Sequence, residues 1–170
     1  MTKLLSCRIA VLLLVGSISL FSLLAALASE VFWGLEPCIL CIYQRIPFLA
    51  VVIFAVLGFA FKRKSAATNT LLGMSALAFL INSMIAFYHT GVEQKWWISA
   101  VEGCAVPADF GMSEQSMLEN ILSAPSARCD EIPWADPVLG LSMANYNVIL
   151  CLGLFALCAA SLILVRKKAA

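Results

Sequence analysis

Two cysteines separated by two residues stand just ahead of a long apolar run. The stretch from Glu36 to Arg45 reads EPCILCIYQR and contains Cys38, Cys41 and, four residues later, an arginine. If a helix begins at Pro37 or Cys38, its free N–H groups and dipole stabilise a thiolate in the first turn. Arg45 then shares a face with Cys41 and favours its charged form. The stretch predicts reactive sulfur chemistry, although Arg45 has a simpler alternative role, reaching to the membrane interface.

The elements that position this pair are predicted to be membrane helices. Hydrophobic residues make up 62% of the 170 residues, charged residues 12%, and the mean hydropathy is +0.96. Apolar runs of spanning length predict transmembrane helices at about 9–32, 38–61, 71–88 and 146–165, with outer loops at about 30–37 and 89–144. The predicted fold is an all-α membrane protein, a four-transmembrane-helix bundle forming a single integral domain over residues 1–170. The first run also resembles a cleaved signal, but its length favours a retained helix.

Charge separates the two ends of the predicted bundle. The basic residues that flank one end are Lys3, Arg8, Lys62, Arg63, Lys64, Arg166, Lys167 and Lys168. The acidic residues all fall toward the other end: Glu30, Glu36, Glu93, Glu102, Asp109, Glu114, Glu119, Asp130, Glu131 and Asp136. Basic residues favour the cytoplasmic side. Both termini are therefore predicted to be cytoplasmic, and the cysteine pair to lie at the opposite face.

The long outer loop carries two further signals. Ser116 to Glu119 fits a helix capping box and is followed by an apolar face, which predicts a short helix lying on the membrane. Trp96, Trp97 and Trp134 have the mixed apolar and polar character favoured at the headgroup level. Simple anchoring is the expected role of these tryptophans.

Four of the seven cysteines fall on the predicted outer side, where disulfides persist: Cys38, Cys41, Cys104 and Cys129. A zinc site is disfavoured because Cys104 and Cys129 are too far apart to form a second close pair. A structural disulfide between these two remains open. The Cys38/Cys41 pair suits that role poorly, since so short a loop gives little stabilisation and a reducible bond.

Polar and sulfur side chains also occur inside the predicted spans. Cys151 and Cys158 are seven residues apart on one face of the fourth helix, where small buried packing residues are expected. Asn82 in the third span is expected to form a hydrogen bond between helices.

Three stretches together resemble the disulfide bond formation protein B (DsbB) family of bacterial inner-membrane thiol oxidases. They are PCILCIYQR from Pro37, FYHTGVEQKWW from Phe87, and RCDEIPW with LGLSM between Arg128 and Met143. The first and third are the specific ones. Together with four spans in the same order, the resemblance covers almost the whole chain.

The resemblance implies a thiol:quinone oxidoreductase in the bacterial inner membrane that supports disulfide bond formation. It assigns Cys38 and Cys41 as the pair next to quinone, and Cys104 and Cys129 as the pair that meets a periplasmic DsbA-like thioredoxin-fold protein. Ubiquinone or menaquinone is the expected electron acceptor, with Arg45, Cys41 and His89 beside it. His89 would lie just beyond the third helix. Neither a metal cofactor nor nucleic acid binding is expected.

Two other classes of protein share part of this pattern. A tetraspanin-like scaffold would account for a disulfide in the outer loop but leaves Cys38, Cys41 and Arg45 without a purpose. An enzyme similar to the vitamin K epoxide reductases also joins four helices, a Cys-x-x-Cys pair and a quinone. In that class the order of the cysteines differs and the RCDEIPW stretch is unexplained.

Overall fold

The described part of the chain is a bundle of four long helices. The computed structural model describes residues 7–101, 104 and 127–169, with side chains described as far as residue 165. The helices are α1 (Arg8–Trp33), α2 (Ile39–Ala60), α3 (Ser65–Glu93) and α4 (Met143–Ala169). Each contains a window of spanning length with mean hydropathy between 1.8 and 2.9. The predicted all-α, four-helix fold is confirmed, and the chain is a multi-pass membrane protein.

The outward faces of these helices are apolar. Phe21 is 73% exposed, and Val56 and Met84 are each 65% exposed. Such a surface is unfavourable in water but is solvated by lipid chains, while helices satisfy their backbone hydrogen bonds internally. The apolar residues that predicted a membrane protein therefore lie both on the outer surface of the bundle and in its core.

Small residues and aromatic rings set the packing of the first three helices. Gly16 of α1 lies directly against Ala55 of α2, and a Cβ added to the glycine would overlap the alanine Cβ. Close approach of this kind is how membrane helices gain contact area where no hydrophobic effect drives them together. Deeper in the bundle, Phe48 of α2 meets Phe79 of α3 edge to face, with ring centroids 6.2 Å apart.

Helix α4 packs mainly against α3. Cys151 and Cys158 are fully buried in this region, as predicted for packing residues. The Asn82 Nδ2 group donates to the Cys151 Sγ across 3.3 Å, which confirms the expected hydrogen bond between helices.

Helix α3 is longer than the predicted span of 71–88. It begins at Ser65 and continues to Glu93, so that His89, predicted to lie beyond it, is within the helix. The hydropathy of the sequence falls in these end turns, but their polar side chains have partners. Thr90 Oγ1 donates to Asn145 Oδ1 over 3.0 Å, and Ser142 Oγ donates to Glu93 Oε2 over 2.5 Å, both from the α4 side. These contacts extend the helix beyond the apolar run.

Several predictions fall on parts of the chain that are not described. The short helix near Ser116 to Glu119 lies outside the described residues, as do Lys3 and the side chains of residues 166–168. The described basic residues Lys62 and Arg63 lie in the connector between α2 and α3. This is the end of α2 opposite Cys38, in agreement with the charge pattern.

The contact between Gly16 and Ala55 gives a test of the packing. We expect Gly16→Ala to lower the free energy of unfolding by about 1–3 kcal/mol, because the new methyl group has no flexible neighbour to displace. Gly73→Ala is the matched control, since a Cβ there meets nothing within 4 Å. Thermal unfolding in detergent, followed by circular dichroism, compares the two. Adding Ala55→Gly to Gly16→Ala should recover most of the loss; equal effects of the two glycine substitutions would contradict this packing.

Candidate functional site

Cys38 caps the N-terminus of helix α2. The helix begins at Ile39, so Cys38 is the residue before its first turn, and the expectation of a start at Pro37 or Cys38 was one to two residues early. The helix start still stabilises a thiolate at Cys38 as predicted, because the Cys41 N–H donates to the Cys38 Sγ over 3.4 Å. The two Sγ atoms lie 3.0 Å apart, within hydrogen-bond distance. The N–H groups of a first helical turn have no partner within the helix, so they can donate to a thiolate in this position.

His89 of helix α3 lies behind Cys38. Its side chain is buried, and its Nε2 atom is 3.6 Å from the Cys38 Sγ. The Gln44 side-chain nitrogen lies 2.9 Å from the His89 Nδ1 and donates to it. With Nδ1 accepting, the ring proton is on Nε2 and faces the sulfur. The Oε1 atom of Glu93, one helical turn further on, is 3.7 Å from the same Nε2.

This environment strongly favours the thiolate form of Cys38. The hydrogen bond with the Cys41 thiol is the main cause, and the hydrogen bond with the His89 ring adds to it; together they lower the Cys38 pKa to about 4 against the opposing effect of burial. Cys38 is only 5% exposed. Its negative charge is therefore stabilised by protein groups and not by bulk water.

Arg45 makes a contact that its spacing did not predict. Its guanidinium forms an ion pair with the Glu30 carboxylate of α1, and both side chains are 25% exposed. Among the groups that lower the pKa of Cys38, the structure has Cys41 and His89 but not Arg45. The sequence analysis paired this arginine with Cys41, and its effect on the Cys41 thiolate stays a prediction. Arg45 ties α1 to α2 beside the cysteine pair.

A polar chain missed by the sequence analysis runs from His89 into the bundle. Gln44 accepts a 2.5 Å hydrogen bond from the Asn147 Nδ2, and the Asn147 Oδ1 accepts one from the Cys151 thiol over 3.2 Å. Gln44 is 7% exposed although it lies in a membrane helix. The sequence did contain a signal for this chain: an amide within a membrane helix is costly to bury unless neighbouring helices provide hydrogen-bond partners.

A cavity of about 850 Å³ opens beside these groups. Its lining includes apolar side chains of three helices, Leu23, Phe48 and Leu150, together with Cys41 and Arg45. The volume is in the range of sites that take a small organic molecule. The cavity thus places a thiol and a cation against a space suited to an apolar ring.

The second cysteine pair is joined and lies close to the first. Cys104 and Cys129 form a disulfide, with Cα atoms 4.8 Å apart, and both are fully buried. They belong to one hydrophobic cluster with Cys38, Leu40 and Val92, against which Cys41 also packs. The Cys129 N–H donates to the Cys104 carbonyl over 2.9 Å. The structure therefore brings together all four cysteines that the sequence placed on the outer side.

The turn after helix α3 directs the chain toward this cluster. Lys95 adopts a left-handed conformation with φ 58°, and the Trp97 ring folds back onto Gly91, where any Cβ would overlap it. The Trp97 Nε1 donates to the Tyr88 carbonyl, and the Tyr88 hydroxyl accepts from the Ala100 N–H. Trp96, Trp97 and Trp134 are 59%, 37% and 41% exposed, and their anchoring role stays a prediction.

The chain is similar to known proteins along most of its length. The family model for "Disulfide bond formation protein DsbB" matches residues 8–161. "Disulfide bond formation protein B" of Xanthomonas axonopodis pv. citri (strain 306) is 32% identical over 146 residues, covering 83% of each chain. The protein of the same description from Pasteurella multocida (strain Pm70) is 28% identical over 125 residues, covering 69% of this chain and 64% of that one. The chain belongs to the DsbB family and is a disulfide-generating membrane oxidoreductase.

Proposed function

We propose that the protein oxidises a periplasmic DsbA-like thioredoxin-fold dithiol and passes the electrons through its two cysteine pairs to membrane quinone. The observation that carries this proposal is the shared cluster that packs Cys104 and Cys129 against Cys38 and Cys41. Thiol–disulfide exchange requires direct contact between sulfurs, so two pairs in one cluster can exchange electrons. The cavity beside Cys41 then offers a site for the final acceptor.

The first half of the reaction is two exchanges. A thiolate of the partner attacks the Cys104–Cys129 bond, and its second thiolate resolves the mixed disulfide, leaving the partner oxidised and this pair reduced. We propose Cys104 as the sulfur attacked first, a choice that rests on the family resemblance alone. A thiolate of the reduced pair next attacks the Cys38–Cys41 disulfide. When the first disulfide re-forms, both electrons are on Cys38 and Cys41 as a dithiol.

The second half takes place at the cavity. A bound ubiquinone or menaquinone would accept two electrons and two protons as the Cys38–Cys41 bond re-forms. The apolar side chains of Leu23, Phe48 and Leu150 fit such a ring, and Arg45 provides a fixed positive charge. A preorganised cation of this kind polarises a carbonyl and stabilises charge that develops on it. Cys41 is the proposed point of contact, and Arg45 the proposed binding group.

His89 is proposed to hold a proton at the reacting sulfurs. Its Nε2–H faces the Cys38 Sγ, and the ring also lines the cavity. Gln44 keeps this tautomer by donating to Nδ1, and is in turn held by Asn147. An imidazole N–H in this setting stabilises the thiolate that forms when the Cys38–Cys41 disulfide is reduced.

The proposed location is the bacterial inner membrane, with both termini in the cytoplasm. The described basic connector at Lys62–Lys64 lies at the end of α2 away from Cys38. This arrangement supports a cytoplasmic connector and a periplasmic cysteine site.

The electron path is tested by quinone reduction. Purified protein is mixed with a reduced thioredoxin-fold dithiol and ubiquinone, and the absorbance of the quinone is followed. We expect steady turnover for the wild type and none above background for Cys41→Ser, because the disulfide that receives the electrons cannot form. Cys158→Ala, which removes a core thiol away from the cavity, is the control. Undiminished turnover by Cys41→Ser would rule out the path.

The role of Arg45 is tested separately. Arg45→Ala should raise the apparent KM for quinone by about 10- to 100-fold, the equivalent of one charged hydrogen bond of about 1.5–3 kcal/mol. Glu30→Gln is the matched control, because it removes the ion pair but leaves the arginine and should not raise KM. An unchanged KM in Arg45→Ala would remove the arginine from the quinone site while leaving the electron path intact.

The reactivity of Cys38 gives a prediction for pH dependence. In reduced protein with a chelator present, we expect iodoacetamide to alkylate Cys38 at almost constant rate down to about pH 5, because a pKa of about 4 keeps the thiolate populated there. Free glutathione in the same tube slows about tenfold per pH unit below its pKa. Peptide mass spectrometry identifies the modified site. In His89→Ala the Cys38 pKa should rise, so that the alkylation rate begins to fall at a higher pH than in the wild type. Identical pH profiles for the two proteins would contradict the contact between His89 and Cys38.

A further inference from the structure

Three side-chain atoms that bind borderline metals lie together behind the start of helix α2, and a fourth lies beside one of them. They are the Sγ atoms of Cys38 and Cys41, the Nε2 of His89 and the Oε1 of Glu93. The two sulfurs and the imidazole nitrogen all lie within 4.8 Å of one another. The Glu93 oxygen is 3.7 Å from that nitrogen. We propose that the dithiol form of the protein has a site for a thiophilic divalent cation of the Zn²⁺ type, built from these four residues.

The spacing is close to that of a tetrahedral zinc site. Zinc–sulfur bonds of about 2.3 Å and zinc–nitrogen bonds of about 2.0–2.1 Å place a sulfur and a nitrogen ligand about 3.5 Å apart. The Cys38 Sγ and His89 Nε2 are 3.6 Å apart. Two sulfur ligands need about 3.8 Å, and the Cys38 and Cys41 sulfurs, at 3.0 Å, must separate slightly. Cys41 is only partly buried, and a rotation about its Cα–Cβ bond supplies this movement.

The surroundings of the ligands also suit a cation. The Glu93 Oε2 accepts from the Ser142 hydroxyl, which holds the carboxylate and leaves Oε1 directed at His89. All four ligand residues line the cavity, which provides an entry path. Two thiolates and a carboxylate supply three negative charges in a buried site, so a divalent cation relieves their mutual repulsion.

One proton must move for the metal to bind. The His89 Nε2 carries the proton in the metal-free protein, because Gln44 donates to Nδ1. Ligation through Nε2 shifts the proton to Nδ1, and the Gln44 amide must turn so that its oxygen accepts it. The Asn147 amide, hydrogen-bonded to Gln44, must turn with it. A carboxylate at residue 44 would accept from Nδ1–H directly, so Gln44→Glu should strengthen metal binding.

The site exists only while Cys38 and Cys41 are reduced, because a disulfide offers no thiolate ligand. Metal binding is therefore coupled to the redox state of Cys38 and Cys41. Binding itself transfers no electrons: the metal takes up the two thiolates, and the protons that the thiols carried are released. The consequence for activity rests on the proposed function. A bound cation holds the two electrons on the dithiol and prevents re-formation of the disulfide at the quinone cavity.

Cobalt is the probe, because thiolate ligation of Co²⁺ gives strong near-ultraviolet absorption. Full-length protein in detergent is reduced with a phosphine, which binds metals weakly, and titrated with Co²⁺. We expect one equivalent to bind with thiolate absorption, and Zn²⁺ to displace it. Protein left in the disulfide form should show no such band. This comparison uses one unaltered chain, so misfolding of a variant cannot explain it.

Variants then assign the ligands. The double variant Cys38→Ser with Cys41→Ser should abolish the band, His89→Ala should weaken Co²⁺ binding at least about tenfold, and Gln44→Glu should strengthen it. The double variant Cys104→Ser with Cys129→Ser should keep the band, which excludes the other pair. A band that survives in the Cys38→Ser and Cys41→Ser double variant, or no band in reduced wild type, would overturn the site. Quinone turnover without Co²⁺ binding rejects only the metal site; Co²⁺ binding without turnover rejects only the proposed function.

Discussion

A sulfur anion at the end of a membrane helix needs stabilisation that neither lipid nor a small amount of water can provide. Cys38 is almost completely buried, and its charge is stabilised by the Cys41 N–H, by the Cys41 thiol and by His89. An unpaired charge in such a place would cost several kcal/mol. The other contacts at this end of the bundle hold the groups that stabilise the Cys38 thiolate in place.

The extension of helix α3 is one such consequence. His89 can reach Cys38 only because α3 continues past the apolar run to Glu93. Its final turns are polar and would fray in isolation. They are instead bound to α4 by the contact of Thr90 with Asn145, and to the residue just before α4 by the contact of Glu93 with Ser142. The same extended end places Gly91 under Trp97, so that the chain turns back and carries Cys104 toward the cluster that contains Cys38.

The sequence was sufficient for the features that depend on length and composition. Four apolar runs predicted four helices because spanning a bilayer fixes both hydropathy and length. The start of α2 at Ile39 was predicted to within two residues, since proline and the cysteine pair mark it. Contacts between distant segments were not predictable in this way. The pairing of Arg45 with Glu30 depends on how α1 crosses α2, and spacing along α2 pointed only to Cys41.

Gln44 shows why a polar residue in a membrane helix requires a structure to interpret. The sequence alone shows an amide within a predicted membrane helix and does not show which groups it meets. In the bundle this amide lies between His89 and Asn147, donating to one and accepting from the other. A carboxylate has no proton to donate, so it would reverse the polarity of the contact with His89 and place the ring proton on Nδ1. It would also bring a second negative charge near the Cys38 thiolate. The amide therefore keeps the imidazole proton directed at the sulfur without adding charge to a buried site, and the residue at this position sets both the tautomer and the electrostatics of the cysteine pair.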